Sequence, residues 1–193
     1  MGFAERKKEA QNNLLAAENV GDLDMELKPL LAAINALGEY YTTSSCMGRV
    51  GIMRDLGNKS LDTYLGKWHR KVTFEEVNRA LAGAEGKVWL RYESPIIHVM
   101  ARCAEAADAF LHLCRESGFK RSGIQTLKDE RILIEVLSTE RVDAPVTADG
   151  KVLVSEEYLR FLVGEANAKF DLGWKKLARL EQKIAEIYSG RHR

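Results

Sequence analysis

The chain has 193 residues, which is enough to bury one substantial core, and its 46% hydrophobic and 30% charged residues are ordinary for a folded protein. This composition excludes a largely disordered chain. The formal net charge is +1, which excludes a strongly basic nucleic-acid-binding protein, so any RNA contact has to come from a local patch.

Cysteine spacing and hydropathy indicate a cytoplasmic protein. Cys46, Cys103 and Cys114 form no CxxC pair, and this spacing fits a reducing compartment without a zinc site. No apolar run approaches the roughly 20 residues that a membrane-spanning helix needs. The N-terminal segment is polar and lacks the apolar stretch of a secretory signal. We therefore expect a single domain over residues 1–193, with no membrane association and no bound metal.

The N-terminal part predicts two helices and a β-hairpin. Residues 3–18 are rich in Ala, Lys and Glu, and Pro29 suits the first turn of a second helix that closes at Gly38. Segments 40–45 and 49–54 are β-prone, and a hairpin that turns between them is the most economical interpretation.

The central part alternates helices and strands. Thr73 followed by Glu76 forms a capping box, which predicts the start of a third helix. Three strands and a fourth helix are predicted from apolar patterning, with the strands at 88–91, 96–102 and 131–137 and the helix at 104–117.

The last predicted element is a long helix with one apolar stripe. Its apolar residues recur four and three positions apart, at Leu159, Val163, Ala166, Phe170, Gly173, Leu177, Leu180, Ile184 and Ile187. The pattern favours a helix that packs on the sheet of its own chain. The alternative is a homodimer that forms through this helix.

These elements predict an α+β fold with one mixed sheet and a long C-terminal helix. A Rossmann arrangement is excluded because no GxGxxG sequence follows a strand. Segments 38–53 and 118–136 show the same order of features: a glycine, an aromatic residue, a serine-containing strand and an apolar strand. This echo suggests an internal duplication of a βαβ-type unit.

The most polar β-prone segment is Thr42 to Arg49. Consecutive hydroxyls place polar groups on both faces of a strand, and an arginine after glycine suits a carboxylate or phosphate. An edge strand with Ser and Thr on its wet face explains the same pattern, and the sequence favours neither interpretation. Cys46 is interpreted as a small, partly buried residue rather than a nucleophile.

Two basic segments are candidates for RNA contacts. Residues 67–71 interleave Trp68 and His69 with three cations, a mixture that stacks on bases and contacts phosphates, although an ordinary solvated loop explains it equally well. Residues 120–123 are basic and contain glycine at the start of a strand.

His98 and Arg102 share one face of a predicted strand, opposite the apolar face. A buried core histidine is the favoured interpretation of His98 by itself, and a site-lining histidine is the alternative. Asp22 and Asp24 precede a helix, where capping is the default role of an acidic residue.

Four segments, TTSSCMGR, SPIIHVMAR, ESGFKRSGI and VSEEYLRFLVGEAN, resemble the tRNA wybutosine-synthesizing protein 3 family in its compact archaeal form. The resemblance runs from about Gly21 to Leu180, with the motifs in the family's order. Met47 departs from the family motif, which has Ser there. A turn tip tolerates Met, but no role of that hydroxyl carries over.

The resemblance implies a cytoplasmic N-methyltransferase that uses S-adenosylmethionine and no metal. Its substrate would be phenylalanine tRNA, with N4 of a 4-demethylwyosine-type base at position 37 of the anticodon loop receiving the methyl group. The family's own α+β fold agrees with the missing glycine fingerprint. The alternative is a non-catalytic module that binds tRNA or a modification complex.

On this hypothesis three sets of residues form the site. The candidate catalytic bases are His69 and Asp24. The cofactor contacts are expected at Ser44, Ser45, Arg49, His98 and Arg102. The tRNA contacts are expected at Lys67, Arg70, Lys120, Arg121 and Ser122.

Overall fold

The computed structural model describes residues 2–57, 63–128 and 131–190. The helices are α1 Phe3–Val20, α2 Lys28–Ala36, α3 Phe74–Leu81, α4 Ala104–Glu116 and α5 Glu156–Gly190, with a short 3-10 helix at Met25–Leu27. The strands are β1 Tyr40–Cys46, β2 Arg49–Asp55, β3 Thr63–Trp68, β4 Lys87–Glu93, β5 Ile96–Ala101, β6 Gly123–Lys128, β7 Arg131–Leu137, β8 Arg141–Ala148 and β9 Lys151–Val152.

The chain divides into two compact units that interleave along the sequence. The first unit contains residues 1–47, 95–139 and 174–193, and the second contains residues 48–94 and 140–173. Each unit has its own antiparallel sheet. The prediction of a single domain over residues 1–193 stays a prediction.

The sheet of the first unit has the strand order β1-β5-β7-β6. One face packs on α4, where the rings of Tyr40 and Phe110 are 5.0 Å apart and the Tyr40 hydroxyl donates to the Ala106 carbonyl at 2.8 Å. The other face meets the start of α1, where the rings of Phe3 and Tyr41 are 5.1 Å apart. Strand β1 is therefore an edge strand that helices contact on both faces.

The sheet of the second unit has the strand order β3-β2-β4-β8-β9. Strand β4 alternates strictly, with Val88, Leu90 and Tyr92 fully buried. The buried face contacts the first half of α5, where the ring of Phe170 is 6.1 Å from that of Tyr92. The Asn167 side-chain amide of α5 forms two hydrogen bonds with the backbone of Val72. It accepts from the Val72 N–H at 2.9 Å and donates to the Val72 carbonyl at 2.8 Å.

The α+β class, the non-Rossmann arrangement and the long C-terminal helix are confirmed. The Thr73–Glu76 capping box is present with both of its hydrogen bonds, at 3.2 and 2.9 Å. The apolar stripe of α5 is buried within the chain from Leu159 to Ile184, so this stripe packs on its own protein. Dimerisation through α5 stays a prediction. No helix in the described part of the chain is long and apolar enough to cross a membrane.

The predicted mixed sheet is wrong, because every strand pair in residues 2–57, 63–128 and 131–190 is antiparallel. The predicted hairpin after β1 is also wrong. Strand β1 pairs with β5, whereas β2 pairs with β3 and β4 in the other sheet. Gly48 has a φ of 96°, a left-handed conformation that suits a turn, but a turn does not determine which strands pair.

The suggested internal duplication does not match the topology at the echoing segments. Strands β1 and β2 lie in different sheets, whereas β6 and β7 pair directly with each other. The echo is also incomplete in composition, because β1 contains serines whereas Ser122 lies before the start of β6. Helix α2 ends at Ala36, two residues before the predicted closure at Gly38, and Leu37 is extended.

Candidate active site on the four-stranded sheet

Three polar side chains form a row across β1, β5 and β7 of the first unit. Ser44 is the register partner of His98, and His98 is the partner of Glu135. Ser44 Oγ lies 2.8 Å from His98 Nδ1, and His98 Nε2 lies 3.6 Å from Glu135 Oε1. The row thus links a hydroxyl, an imidazole and a carboxylate on one face of the sheet.

Strand alternation places this row outside the core. On β5 the neighbours Ile97 and Val99 are fully buried, and on β7 Ile134 and Val136 are fully buried. His98 and Glu135 therefore point to the opposite face, where their side chains are 30% and 20% exposed. His98 is therefore not a buried core histidine.

A β-bulge brings Ser44 to the row. The register between β1 and β5 shifts between Thr42 and Ser44, so that Ser44 instead of Thr43 stands opposite His98. Asn35 of α2 fixes the bulge from the buried side. Its amide donates to the Thr42 hydroxyl at 2.8 Å, and its amide oxygen accepts from the Thr42 N–H at 3.0 Å.

A cleft of about 240 Å3 borders the serine end of the row. Its lining residues come from α1, the segment after α1 and β1, namely Asn13, Leu14, Ala17, Asp22, Leu23 and Thr42 to Ser45. Hydroxyl groups and a carboxylate thus face apolar side chains across one opening. The volume is smaller than the roughly 300 to 1,000 Å3 of sites that enclose a drug-sized ligand, so a larger ligand would also lie on the sheet surface.

Asp24 positions the end of β1. Its carboxylate accepts a hydrogen bond from the Met47 N–H at 2.8 Å. Met47 is only 3% exposed and lines a small apolar pocket with Leu27 and Leu30. Met47 is therefore not the tip of a hairpin between β1 and β2, because these strands do not pair, and its side chain is buried.

Arg49 lies on β2 of the second unit, where a carboxylate already contacts it. Its Nε donates to Glu93, and its guanidinium is 5.5 Å from the ring centroid of Tyr64. The Tyr64 hydroxyl donates to the same carboxylate at 3.2 Å, and burial raises the pKa of Tyr64. An anionic ligand at Arg49 would have to compete with Glu93.

Arg102 lies beyond the end of β5 and contacts the start of α1. Its guanidinium is 5.1 Å from the Phe3 ring centroid, and it donates to the Gly38 carbonyl at 3.3 Å. Arg102 also lies 3.4 Å from a Glu39 carboxylate oxygen. Four residues of extended strand span about 13 Å, so Arg102 is remote from His98 in this sheet.

His69 and Arg70 lie in the bend between β3 and α3 of the second unit. Arg70 forms two hydrogen bonds with Glu76, at 2.7 and 3.1 Å, and this contact lowers the pKa of Glu76 to about 2. Lys67 lies on β3 with its ammonium 5.8 Å from the Tyr64 ring centroid.

Lys120 and Arg121 are exposed in the turn before β6, as a phosphate-binding role requires. Ser122 is only 6% exposed, and its hydroxyl accepts from the Leu137 N–H at 3.2 Å. This buried contact holds the end of β7 and gives the serine a structural role. The predicted contact with tRNA therefore lacks an accessible hydroxyl at this position.

Comparison with known proteins shows the family of this chain. The family model described as Methyltransferase TYW3 matches residues 5–186.

The chain belongs to the TYW3 methyltransferase family.

Curated relatives match over nearly their whole length. A Pyrococcus abyssi protein is 43% identical over 188 residues, which is 96% of this chain and 97% of the relative. A Methanocaldococcus jannaschii protein is 39% identical over 191 residues, which is 97% and 99% of the two chains. Both are named as tRNA(Phe) 7-((3-amino-3-carboxypropyl)-4-demethylwyosine(37)-N(4))-methyltransferases.

Solved structures share the fold. A Pyrococcus horikoshii protein superposes with a TM-score of 0.91 at 39% identity, covering 95% of this chain and 96% of its own. An Aeropyrum pernix protein gives a TM-score of 0.76 at 27% identity, covering 83% and 96%. The fold of this chain is therefore shared by both of these solved proteins.

Two residues of the candidate site were not predicted from the sequence. Glu135 carries a detectable signal, because it is the lone acid within the apolar strand RILIEVL. Its importance depends on the β5–β7 register, which the sequence does not reveal. Asn35 carries no such signal, since an asparagine near the end of a helix is ordinary, and only its buried contact with Thr42 distinguishes it.

Proposed function

We propose that this chain is an S-adenosylmethionine-dependent methyltransferase that methylates N4 of a (3-amino-3-carboxypropyl)-4-demethylwyosine base at position 37 of phenylalanine tRNA in the cytoplasm. The relatives named for this reaction match it over nearly their whole length. The observation that carries the proposal is the Ser44–His98–Glu135 row beside a polar cleft.

The cleft residues fit S-adenosylmethionine chemically. The Asp22 carboxylate suits the ammonium group or the ribose hydroxyls, and the Ser45 hydroxyl suits the carboxylate. Leu14 and Leu23 supply the apolar wall that an adenine ring requires. Bound there, S-adenosylmethionine supplies an electrophilic methyl group.

Methylation of N4 requires a proton acceptor. The new nitrogen–carbon bond forms as the sulfur–carbon bond breaks, and the N4 proton has to leave. We propose that this proton passes to Ser44 Oγ while the Ser44 hydroxyl proton passes to His98 Nδ1, which lies 2.8 Å from Ser44 Oγ. His98 Nε2 then directs its N–H toward Glu135, whose carboxylate stabilises the imidazolium. Asp24 acts by positioning the end of β1 through Met47.

His69 remains the competing candidate for the base, and a paired comparison separates the two histidines. His98→Gln should lower kcat by about 10²- to 10⁴-fold, the contribution typical of general acid–base catalysis. His69→Gln should lower kcat by less than tenfold. Each variant is assayed for methyl transfer to tRNA, with thermal unfolding as the control for folding. The reverse order of effects would assign the base to His69.

The tRNA contacts are assigned to exposed cations. Lys67, Lys120 and Arg121 have accessible side chains, and Arg70 is accessible although Glu76 contacts it. Ser122 is omitted because its hydroxyl is buried. Calorimetry tests the cofactor directly. Binding of S-adenosylmethionine supports the enzyme, whereas tRNA binding without S-adenosylmethionine binding or methyl transfer supports the non-catalytic module.

A further inference from the structure

The outward face of the five-stranded sheet carries a second polar pocket that the proposed methyl transfer does not use. Its side chains come from β2, β4 and β8 of the second unit. The pocket has a volume of about 330 Å3 and is lined by Met53, Asp55, Trp89, Arg91, Arg141 and Asp143. Alternation on β4 directs Trp89 and Arg91 to this face, because Leu90 between them is fully buried.

The charged walls of this pocket are held in place. Asp55 accepts from the Gly57 N–H at 2.9 Å and from the Trp89 indole N–H at 3.2 Å, and these bonds lower its pKa, the Gly57 bond most. Asp143 accepts from Arg91 Nε at 2.6 Å and from Arg141. Each carboxylate has a fixed orientation and further acceptor capacity, since an ionised carboxylate has about four lone-pair sites.

Trp89 presents an indole ring with a cation at its face. Its N–H is anchored by Asp55, and the ammonium of Lys87 is 4.8 Å from the ring centroid. The Lys87 side chain is 52% exposed, and its ammonium also forms an ion pair with the Asp55 carboxylate at 3.5 Å. A planar ligand can therefore replace the ammonium over the ring, and the lysine can turn to a neighbouring anion.

The same face carries a second ring, at Tyr64 of β3. Tyr64 is the register partner of Met53, which lines the pocket. The Tyr64 ring lies so close to Gly51 that a Cβ there would be 2.6 Å from it. This ring therefore lies along the sheet instead of standing out from it, as in sheets that stack nucleobases.

Charge on this face complements a phosphate backbone. Cations outnumber carboxylates among its side chains, with Arg49, Lys67, Lys87, Arg91 and Arg141 against Asp55, Glu93 and Asp143. Aromatic rings interleaved with Lys and Arg are the usual surface for single-stranded nucleic acid. The walls also hold acceptors for the N–H groups of a base edge.

We propose that this pocket binds an unstacked nucleobase of the tRNA substrate, with the base stacked on Trp89, its N–H edge at Asp55 or Asp143, and the adjoining phosphates at Lys87 and Arg141. The inference rests on the proposed function for the identity of the RNA. It adds a recognition site on the second unit that is chemically separate from the methyl-transfer residues.

The direct test is the affinity for phenylalanine tRNA by fluorescence anisotropy without S-adenosylmethionine. Trp89→Ala should weaken binding by about 5- to 150-fold, the loss typical of one stacked base. Trp89→Phe keeps a ring and should stay within a few-fold of wild type, which separates stacking from misfolding. Trp174→Ala, in the first unit, is the matched control and should leave the affinity unchanged.

Tryptophan emission gives a second readout. The chain has three tryptophans, so the Trp68→Phe, Trp174→Phe double variant reports on Trp89 alone. Addition of tRNA should quench this emission, whereas a mononucleotide such as adenosine monophosphate should bind at least tenfold more weakly. Unchanged affinity in Trp89→Ala, unchanged emission, or equally tight mononucleotide binding would each overturn the inference.

Methyl transfer is measured in parallel so that the two proposals fail separately. If Trp89→Ala loses tRNA affinity while wild type transfers no methyl group, the nucleobase site stands and the methyltransferase proposal fails. If wild type transfers methyl groups and Trp89→Ala does so with unchanged KM, the methyltransferase proposal stands and the nucleobase site is wrong.

Discussion

His98 is held on both sides by side chains from neighbouring strands. Ser44 contacts Nδ1 and Glu135 lies near Nε2, so the ring has one orientation and each nitrogen has a defined partner. A histidine with both ring nitrogens committed in this way is prepared to take a proton from one side while a carboxylate stabilises the charge from the other. The proposed proton transfer therefore requires no ionisable group beyond His98 and Glu135.

Ser44 should affect turnover more than tRNA binding. Ser44→Ala removes the hydroxyl that passes the proton to His98, so kcat should fall by about 10- to 100-fold with KM for tRNA within twofold. Ser44→Thr keeps the hydroxyl and should recover most of the rate. A Ser44→Ala variant with wild-type kcat, measured by steady-state methyl transfer, would remove the serine from the proton path.

Glu76 should make stability depend on pH in the acid range. Its pKa is lowered from 4.5 to about 2 in the folded protein by the hydrogen bond with Arg70 and then by that with Thr73. The stabilisation is therefore fully present above pH 4.5 and is lost as pH falls through about 2. Glu76→Gln should be less stable than wild type at pH 7, and the difference should shrink toward pH 2.

Urea unfolding at several pH values measures this difference. Gln still fits the capping box, so the substitution isolates the loss of charge. Glu75→Gln, on the preceding residue of the same helix, is the control, because Glu75 is not part of the capping box, and it should change the stability at pH 7 less than Glu76→Gln does. A constant difference between wild type and Glu76→Gln at all pH values would contradict the assignment.

At the scale of elements, α2 is connected to the active-site row through one buried amide. Asn35 satisfies both the N–H and the hydroxyl of Thr42 at the bulge that delivers Ser44. Asn35→Ala should lower the free energy of unfolding by about 1 to 3 kcal/mol, since it leaves a buried donor without a partner. It should also lower kcat, because Ser44 loses its fixed position.

Asn12→Ala is the matched control, since Asn12 is exposed on α1. The same change of side chain there should leave unfolding and kcat near wild type, because alanine favours helices and no buried partner is lost. Chemical denaturation and methyl-transfer rates measure both effects. Equal behaviour of the two variants would show that the Asn35 amide does not hold the bulge.

Local sequence signals predicted local structure well. The Thr73–Glu76 capping box and the alternation of β5 are correct because each depends on residues a few positions apart. Strand pairing was predicted poorly, since β1 and β2 belong to different sheets and their partners are distant in sequence. Strand β8 was missed because Pro145 within it argues against a strand.

The same limit applies to the candidate site. Ser44 and His98 were predicted from polar residues in β-prone segments and from the family resemblance, and the β1–β5 register shows that they meet. Glu135 could not be joined to them without the β5–β7 pairing. Arg102 was grouped with His98 because both lie on the same face of the predicted strand. Strand alternation alone does not show how far apart two such side chains are, nor that Arg102 contacts Phe3.

At the scale of the whole molecule, a near-neutral chain should still bind tRNA electrostatically. The net charge of +1 is compatible with this because cations cluster locally, as on the sheet face of the second unit. The logarithm of the tRNA association constant should fall by roughly 0.7 to 0.9 per phosphate contact for each tenfold rise in salt. Binding titrations at several salt concentrations measure this slope.

A double variant tests the contribution of the turn before β6. The double variant Lys120→Gln, Arg121→Gln should reduce the magnitude of this salt slope by up to the contribution of roughly two phosphate contacts. Lys8→Gln, Lys151→Gln removes the same charge from exposed positions outside the proposed tRNA contacts and should reduce the slope less. A salt-independent affinity in the wild type would contradict the phosphate contacts.

The most direct test of the central claim is methyl transfer by the purified protein. Phenylalanine tRNA that carries the (3-amino-3-carboxypropyl)-4-demethylwyosine base is incubated with S-adenosylmethionine, and its nucleosides are analysed by mass spectrometry. The account predicts that wild type adds one methyl group at N4 of the tricyclic base, and that His98→Gln adds it about 10²- to 10⁴-fold more slowly. An unmethylated base after incubation with folded wild-type protein that binds this tRNA would contradict it.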